Sequence, residues 1–143
     1  MTMRRGRWLI GMLVFLVAGS CATVGDRGAS EPPGVRVALV NFVSSTDIGI
    51  TTEIHFSVVN ETDQELKDLT LTVETNPSNG VDVPFSEKII DRIPPHGSWA
   101  PDEPFLVRGR RPGETAVFFI VAKDGITLAK DYTLISVGPG QFY

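Results

Sequence analysis

Residues Ile48 to Val58 read Ile-Gly-Ile-Thr-Thr-Glu-Ile-His-Phe-Ser-Val. Ile48, Ile50, Thr52, Ile54, Phe56 and Val58 fall on one side of an extended chain. Gly49, Thr51, Glu53, His55 and Ser57 fall on the other. Strict alternation of period two marks a β-strand with one buried and one wet face. A second stretch, Ala116 to Ala122 (AVFFIVA), is apolar throughout. Apolar side chains on both faces predict a central strand that is covered on both sides. Asn60-Glu61-Thr62-Asp63 closes the first stretch, asparagine being a residue that tolerates the left-handed conformation of a sharp exit. Lys123-Asp124-Gly125 closes the second, Asp-Gly being a favoured hairpin turn.

Outward from these two, the pattern repeats. Val35 to Val43 is a first strand, and Leu69, Leu71 and Val73 mark the inward side of another. Val81, Val83 and Phe85 form a short strand that Pro84 confines to an edge. Lys88 to Ile93 follows, then Trp99 to Arg108, where Pro101 and Pro104 predict an edge or a bulge. Ile126 to Val137 pairs back as the last strand. Asn76 to Gly80, Pro94 to Gly97 and Arg110 to Gly113 are the turns between them. No stretch keeps a helical period. Seven to eight strands in about 100 residues predict an all-β fold, a single immunoglobulin-like antiparallel β-sandwich over residues 35–137. Its expected core is Ile50, Ile54, Phe56, Val58, Leu69, Leu71, Val73, Val117, Phe119, Val121 and Leu134.

The chain has 143 residues, enough for one such domain with a little to spare. A single cysteine excludes an internal disulfide framework and a cysteine-rich zinc site. The net charge is −4, but Arg4, Arg5 and Arg7 account for all the charge in the first 20 residues. Beyond them 10 bases face 17 acids, a balance that repels phosphate backbones and argues against nucleic-acid binding.

Those three arginines open a signal peptide over residues 1–20. Trp8 to Ala18 is an apolar run of 11 residues, and Ala18, Gly19 and Ser20 are small. A membrane-spanning helix needs about 20 apolar residues, so this run is too short to be one. Val17-Ala18-Gly19-Ser20-Cys21 resembles the lipobox of bacterial lipoproteins, with Ala18 where that family more often has leucine. The resemblance implies that the signal helix is cleaved before Cys21 and that the thiol and the new amine carry acyl chains. It also implies, from Ala22 in place of aspartate, a location in the outer membrane facing the periplasm if the host is a diderm bacterium. Residues 21–34 combine Cys21 with a tether rich in glycine and proline. The tether could span roughly 40 Å if fully stretched. Residues 138–143 form a C-terminal tail ending in Phe142 and Tyr143.

Ser57-Val58-Val59-Asn60, Leu66-Lys67-Asp68-Leu69-Thr70-Leu71, Ile93-Pro94-Pro95-His96-Gly97-Ser98 and Pro112-Gly113-Glu114-Thr115-Ala116-Val117 form a cadence of strands and turns. It resembles the CARDB and NEW3 type of bacterial extracytoplasmic β-sandwich, similar in outline to adaptin-ear domains. That resemblance implies a fold and an adhesive or interaction role, with no catalytic residues.

The residues themselves offer little chemistry. Glu53-x-His55-x-Ser57 shares one face of a strand, but side chains two apart on a strand are about 6.6–7 Å apart, beyond hydrogen-bond reach. His96 reads as a turn residue. The two histidines lack the spacing of a metal site. No catalytic residue, metal ligand or cofactor is expected. The candidate binding residues are Trp99, the basic turn Arg108, Arg110 and Arg111, and the terminal Phe142 and Tyr143. The sequence predicts a membrane-anchored, extracytoplasmic, non-catalytic module that binds a protein of the cell envelope. The alternative is a module that binds cell-wall or surface glycan, for which Trp99 would be the stacking platform.

Overall fold

The computed structural model describes residues 34–140. The signal peptide, Cys21, the tether up to residue 33 and the terminal Gln141, Phe142 and Tyr143 lie outside the described residues. Eleven strands follow one another: β1 (Val35–Leu39), β2 (Val43–Asp47), β3 (Thr51–Ile54), β4 (Phe56–Asn60), β5 (Leu66–Asn76), β6 (Val81–Asp82), β7 (Glu87–Ile93), β8 (Ser98–Trp99), β9 (Phe105–Gly109), β10 (Gly113–Lys123) and β11 (Ile126–Gly138). The fold is an all-β immunoglobulin-like sandwich. One layer is a five-stranded sheet in the order β2-β11-β10-β5-β7. Against it lie two three-stranded sheets, β1-β4-β8 and β3-β9-β6. The pairs between named strands are antiparallel except β2 with β11, which is parallel.

The layers meet through aromatic side chains. Phe119 on β10 lies 4.3 Å from Phe56 of β4 and 5.5 Å from Phe105 of β9, centroid to centroid. Around them Val58, Leu69, Leu71, Ile90, Ile93, Val107, Val117, Val121 and Ile135 are fully buried. The Asp-Gly hairpin closes as expected: Asp124 and Gly125 have φ of 51° and 81°, the two positive values that a tight hairpin turn needs.

Five expectations are corrected. The alternating stretch is not one strand. The chain leaves β2 at Asp47 and crosses to the other layer before β3 begins at Thr51. Ile50 N donates to Asp47 O, so residues 47–50 make a turn, and Ile48 and Ile50 are exposed. The strand breaks again at His55, where it passes from pairing with β9 to pairing with β1 and β8. Ile50 is therefore outside the core. Leu134 also leaves it: opposite Ala116 it lies on the outer face of its sheet, while Ile135 and Val137 point inward.

Trp99 to Arg108 is not one edge strand. Trp99 belongs to β8, Pro101 and Pro104 lie in the loop that follows, and β9 is the central strand of its sheet. The short β6, as expected, is an edge. The stretch Ala116 to Ala122 is central, paired with β5 on one side and β11 on the other, but it is covered on one face only. Val117, Phe119 and Val121 are buried, whereas Phe118 and Ile120 on the other face remain half-buried. Finally, Asn60 does not use a left-handed backbone; it has a different task, described below.

Candidate functional site

Asn60 ends β4 and is completely buried. Its Nδ2 donates to the carbonyls of Gln64 (2.8 Å), Pro94 (3.0 Å) and Ile93 (3.2 Å). Its Oδ1 accepts from Thr62 N at 3.0 Å and Thr62 Oγ1 at 2.7 Å. One amide thus ties the exit of a strand in one layer to the end of β7 in the other. Two segments of the cadence, Ser57–Asn60 and Ile93–Ser98, meet in space through this side chain. The role is architectural.

The two histidines pair with carboxylates. His55 Nδ1 lies 3.4 Å from Glu53 Oε2, which corrects the expectation: the spacing of about 6.6–7 Å is that of the backbone, and two long side chains on one face close it. His96 Nε2 is 2.6 Å from Asp63 Oδ1. His96 has φ of 56°, which makes it the turn residue that was expected. Both pairs are open to solvent, and the polar contacts of both imidazoles go to carboxylates and not to a hydroxyl nucleophile. Among the described residues no group of three or more His, Cys, Asp or Glu side chains is placed to hold a metal ion. Nor, among them, does a buried side-chain polar atom lack a partner.

Trp99 is half-buried. Its ring packs against the core, tilted at 6.5 Å from Phe56. Tyr132, the tyrosine among the described residues, stands on the opposite layer and so cannot join Trp99 in an aromatic platform. The basic turn does not act as one cluster. Arg108 is exposed on β9 opposite Thr51 and Asp82. Arg110 Nη1 reaches Asp82 Oδ1 at 3.3 Å, with both side chains about half exposed. Arg111 donates its backbone N–H to Gly80 O, and its side chain borders a shallow recess of about 230 Å³ beside Pro77 and Glu114. Such solvated contacts between exposed charges contribute about 0–1 kcal/mol.

The feature that sequence reading missed is the outer face of the five-stranded sheet. The register brings its outward residues into rows. Val43 neighbours Leu134, which neighbours Ala116. Tyr132 neighbours Phe118, which neighbours Glu74. Lys130 neighbours Ile120, then Thr72, then Glu87. Val43 is 64% exposed and Tyr132 48%, and Phe42 beside them is 61% exposed. The rings of Phe118 and Tyr132 are 5.4 Å apart, and Lys130 Nζ lies 5.1 Å above Phe118. Contiguous exposed apolar surface of this kind marks interaction sites. The signal was present in the sequence, as the second apolar face of AVFFIVA and the Tyr132-x-Leu134 alternation. Its exposure was not.

No protein-family model matches the sequence, and no curated protein matches it. Solved structures do. The fold is similar to the CARDB domain of the PF1109 protein from Pyrococcus furiosus, a crystal structure in complex with di-metal ions. The TM-score is 0.52 at 12% identity, over 76% of this chain and 94% of that one. It is also similar to part of the native conformation of E. coli alpha-2-macroglobulin, with a TM-score of 0.54 at 19% identity. That match takes in 73% of this chain but 7% of the macroglobulin. The chain therefore carries an immunoglobulin-type sandwich of CARDB-like fold. At these identities the likeness speaks for the fold and leaves the activity to be argued from the molecule.

Proposed function

We propose that the protein is a lipid-anchored, extracytoplasmic accessory module that binds another protein of the cell envelope and catalyses no reaction. The observation that carries the reading is the position of Cys21. It closes a basic and apolar leader at Val17-Ala18-Gly19-Ser20, ahead of a tether and a sandwich. Each buried acyl methylene contributes about 0.8 kcal/mol, so two or three chains hold the protein at the membrane essentially permanently. If the host has two membranes, Ala22 favours the outer one. The sandwich supports the interaction half of the reading with an apolar sheet face and with histidines that contact carboxylates only.

Fractionation of cells tests the anchor. The chain sediments with membranes, and Cys21→Ala moves it to the soluble fraction. Persistence of the Cys21→Ala protein in the membrane fraction overturns the lipid anchor. For the interaction half, cross-linking in intact cells followed by mass spectrometry should return a protein. Binding to purified wall material in its place would move the reading to glycan recognition.

A further inference from the structure

We infer that the tip of the β10–β11 hairpin, through Ile126 and Leu128, rests in the surface of the lipid bilayer that holds the anchor. The inference rests on the lipid anchor of the proposed function and adds an orientation to it, with one end of the sandwich seated on the membrane.

Two aliphatic side chains stand open on this tip. Ile126 is 66% exposed and Leu128 39%. Ala122 faces Thr127 and Val121 faces Ala129, so Leu128 is the extra residue of a bulge and has no partner on β10. A bulge of this kind re-aims a side chain, here out of the ladder and beside Ile126.

The place where the chain enters the fold says what meets them. Glu61 N donates to Gly34 O at 2.8 Å, and Val35 lies opposite Asn60. Asn60 holds the carbonyls of Ile93 and Pro94, Ile93 lies opposite Leu66, and Lys123 Nζ donates to Lys67 O at 2.7 Å. Gly34 and the hairpin tip therefore belong to the same end of the sandwich. Residues 22–33 join Gly34 to Cys21. A segment of that length and composition spans about 20 Å on average. The 13 residues of β11 set the opposite end roughly 40 Å further off. The Ile126 end thus meets the lipid first. The Asn76–Gly80 turn, near the start of β10, meets it only with the tether fully stretched.

The chemistry of the tip sets its depth. Hydrocarbon tolerates neither the unpaired backbone of the turn nor the charges of Lys123, Asp124, Lys130 and Asp131 around it. Ile126 and Leu128 therefore enter at the level of the headgroups and the first methylenes, as side chains of an interfacial element do. The two bases and two acids cancel, so apolar burial and not attraction to anionic lipid holds the tip. The contact need not be strong by itself, because the anchor keeps the tip at a high effective concentration near the surface.

The test uses the full anchored chain, reconstituted into vesicles of phosphatidylethanolamine with or without phosphatidylglycerol. With Cys21 acylated, an introduced cysteine is the one free thiol. Thr127→Cys, between the two aliphatic residues, and Asn79→Cys, at the opposite end, are each labelled with an environment-sensitive dye; both positions are exposed. The dye at Thr127 should shift to the blue and resist quenching by acrylamide, and the dye at Asn79 should do neither. Each methylene taken out of lipid is worth a factor of about four, so adding Ile126→Ser and Leu128→Ser should weaken the seated state by about tenfold or more. Ile89→Ser with Leu106→Ser, exposed apolar residues elsewhere, should leave it unchanged. The inference is overturned by equal quenching at Thr127 and Asn79, or by protection that survives the paired serines. Protection that requires phosphatidylglycerol overturns it, as does protection that fades when the protein is diluted in lipid, which would report a second copy. A chain that floats with the vesicles but has a wet tip overturns this inference alone; a chain that does not float overturns the anchor and this inference with it.

Discussion

Replacing Asn60 by alanine should cost this small domain a large share of its stability. The side chain is fully buried and makes five polar contacts to three segments: Thr62, Gln64 and the Ile93–Pro94 junction. A net hydrogen bond contributes about 1 kcal/mol, and each buried group left without a partner costs about 1–3 kcal/mol. Pro94 O keeps a second donor in Gly97 N, and Asn60 N still donates to Gly97 O, so part of the network survives. Three to four effective bonds are lost, and the expected penalty is about 4 kcal/mol. For a domain of about 100 residues that lowers the melting temperature by roughly 15–30 °C. Urea denaturation followed by far-ultraviolet circular dichroism measures it, with the slope unchanged if only native contacts are lost. Asn60→Asp sharpens the test. The introduced carboxyl would sit buried among carbonyl oxygens, which raises its folded-state pKa above the unfolded value of about 3.9. Its contribution is then fully present below that value and is lost as pH rises through the raised folded pKa. This variant should gain stability relative to the parent as the solution is acidified. A loss below about 1 kcal/mol for Asn60→Ala, or an Asn60→Asp penalty that ignores pH, would refute the clamp.

Two further outcomes follow from the packing. Gly109→Ala places a Cβ 2.7 Å from Asp47 O and 2.8 Å from Val137 Cγ1. Because the nearer neighbour is backbone, the chain must shift, at about 1–3 kcal/mol, which a lowered urea midpoint would register. Arg110→Glu together with Arg111→Glu removes one solvated contact to Asp82, so thermal unfolding should move by no more than about 0.5 kcal/mol and membrane association should stay the same.

Much of the fold was legible because β-patterning is local. Alternation at Ile54, Phe56 and Val58, and at Leu69, Leu71 and Val73, reports a face whose burial the tertiary structure then supplies. The Asp124-Gly125 turn was legible for the same reason, since its two positive φ values are demanded within two residues. The failures came where a local pattern had to say which layer a residue joins. Ile48 and Ile50 continue the alternation, yet they sit in the crossing between layers. Pro101 and Pro104 read as an edge or a bulge within one strand, whereas they lie in the loop between two strands, the second of them central. Glu53 and His55 meet although their backbone positions are two apart on a strand, because side-chain reach is not carried by backbone spacing.

The sequence alone was enough to settle the all-β class, the hairpin and the central place of Ala116 to Ala122, because each rests on neighbours in the chain. It also sets out the leader and Cys21 on which the proposed anchor depends. Only the tertiary structure decided that β10 is covered on one face, that Asn60 bridges two layers, and that Val43, Tyr132, Phe118 and Ile120 share one exposed surface with Lys130 on one flank and Glu74 and Glu87 on the other. Those facts depend on strand order and register, which bring together residues up to about 90 positions apart, and no local rule of alternation carries that information.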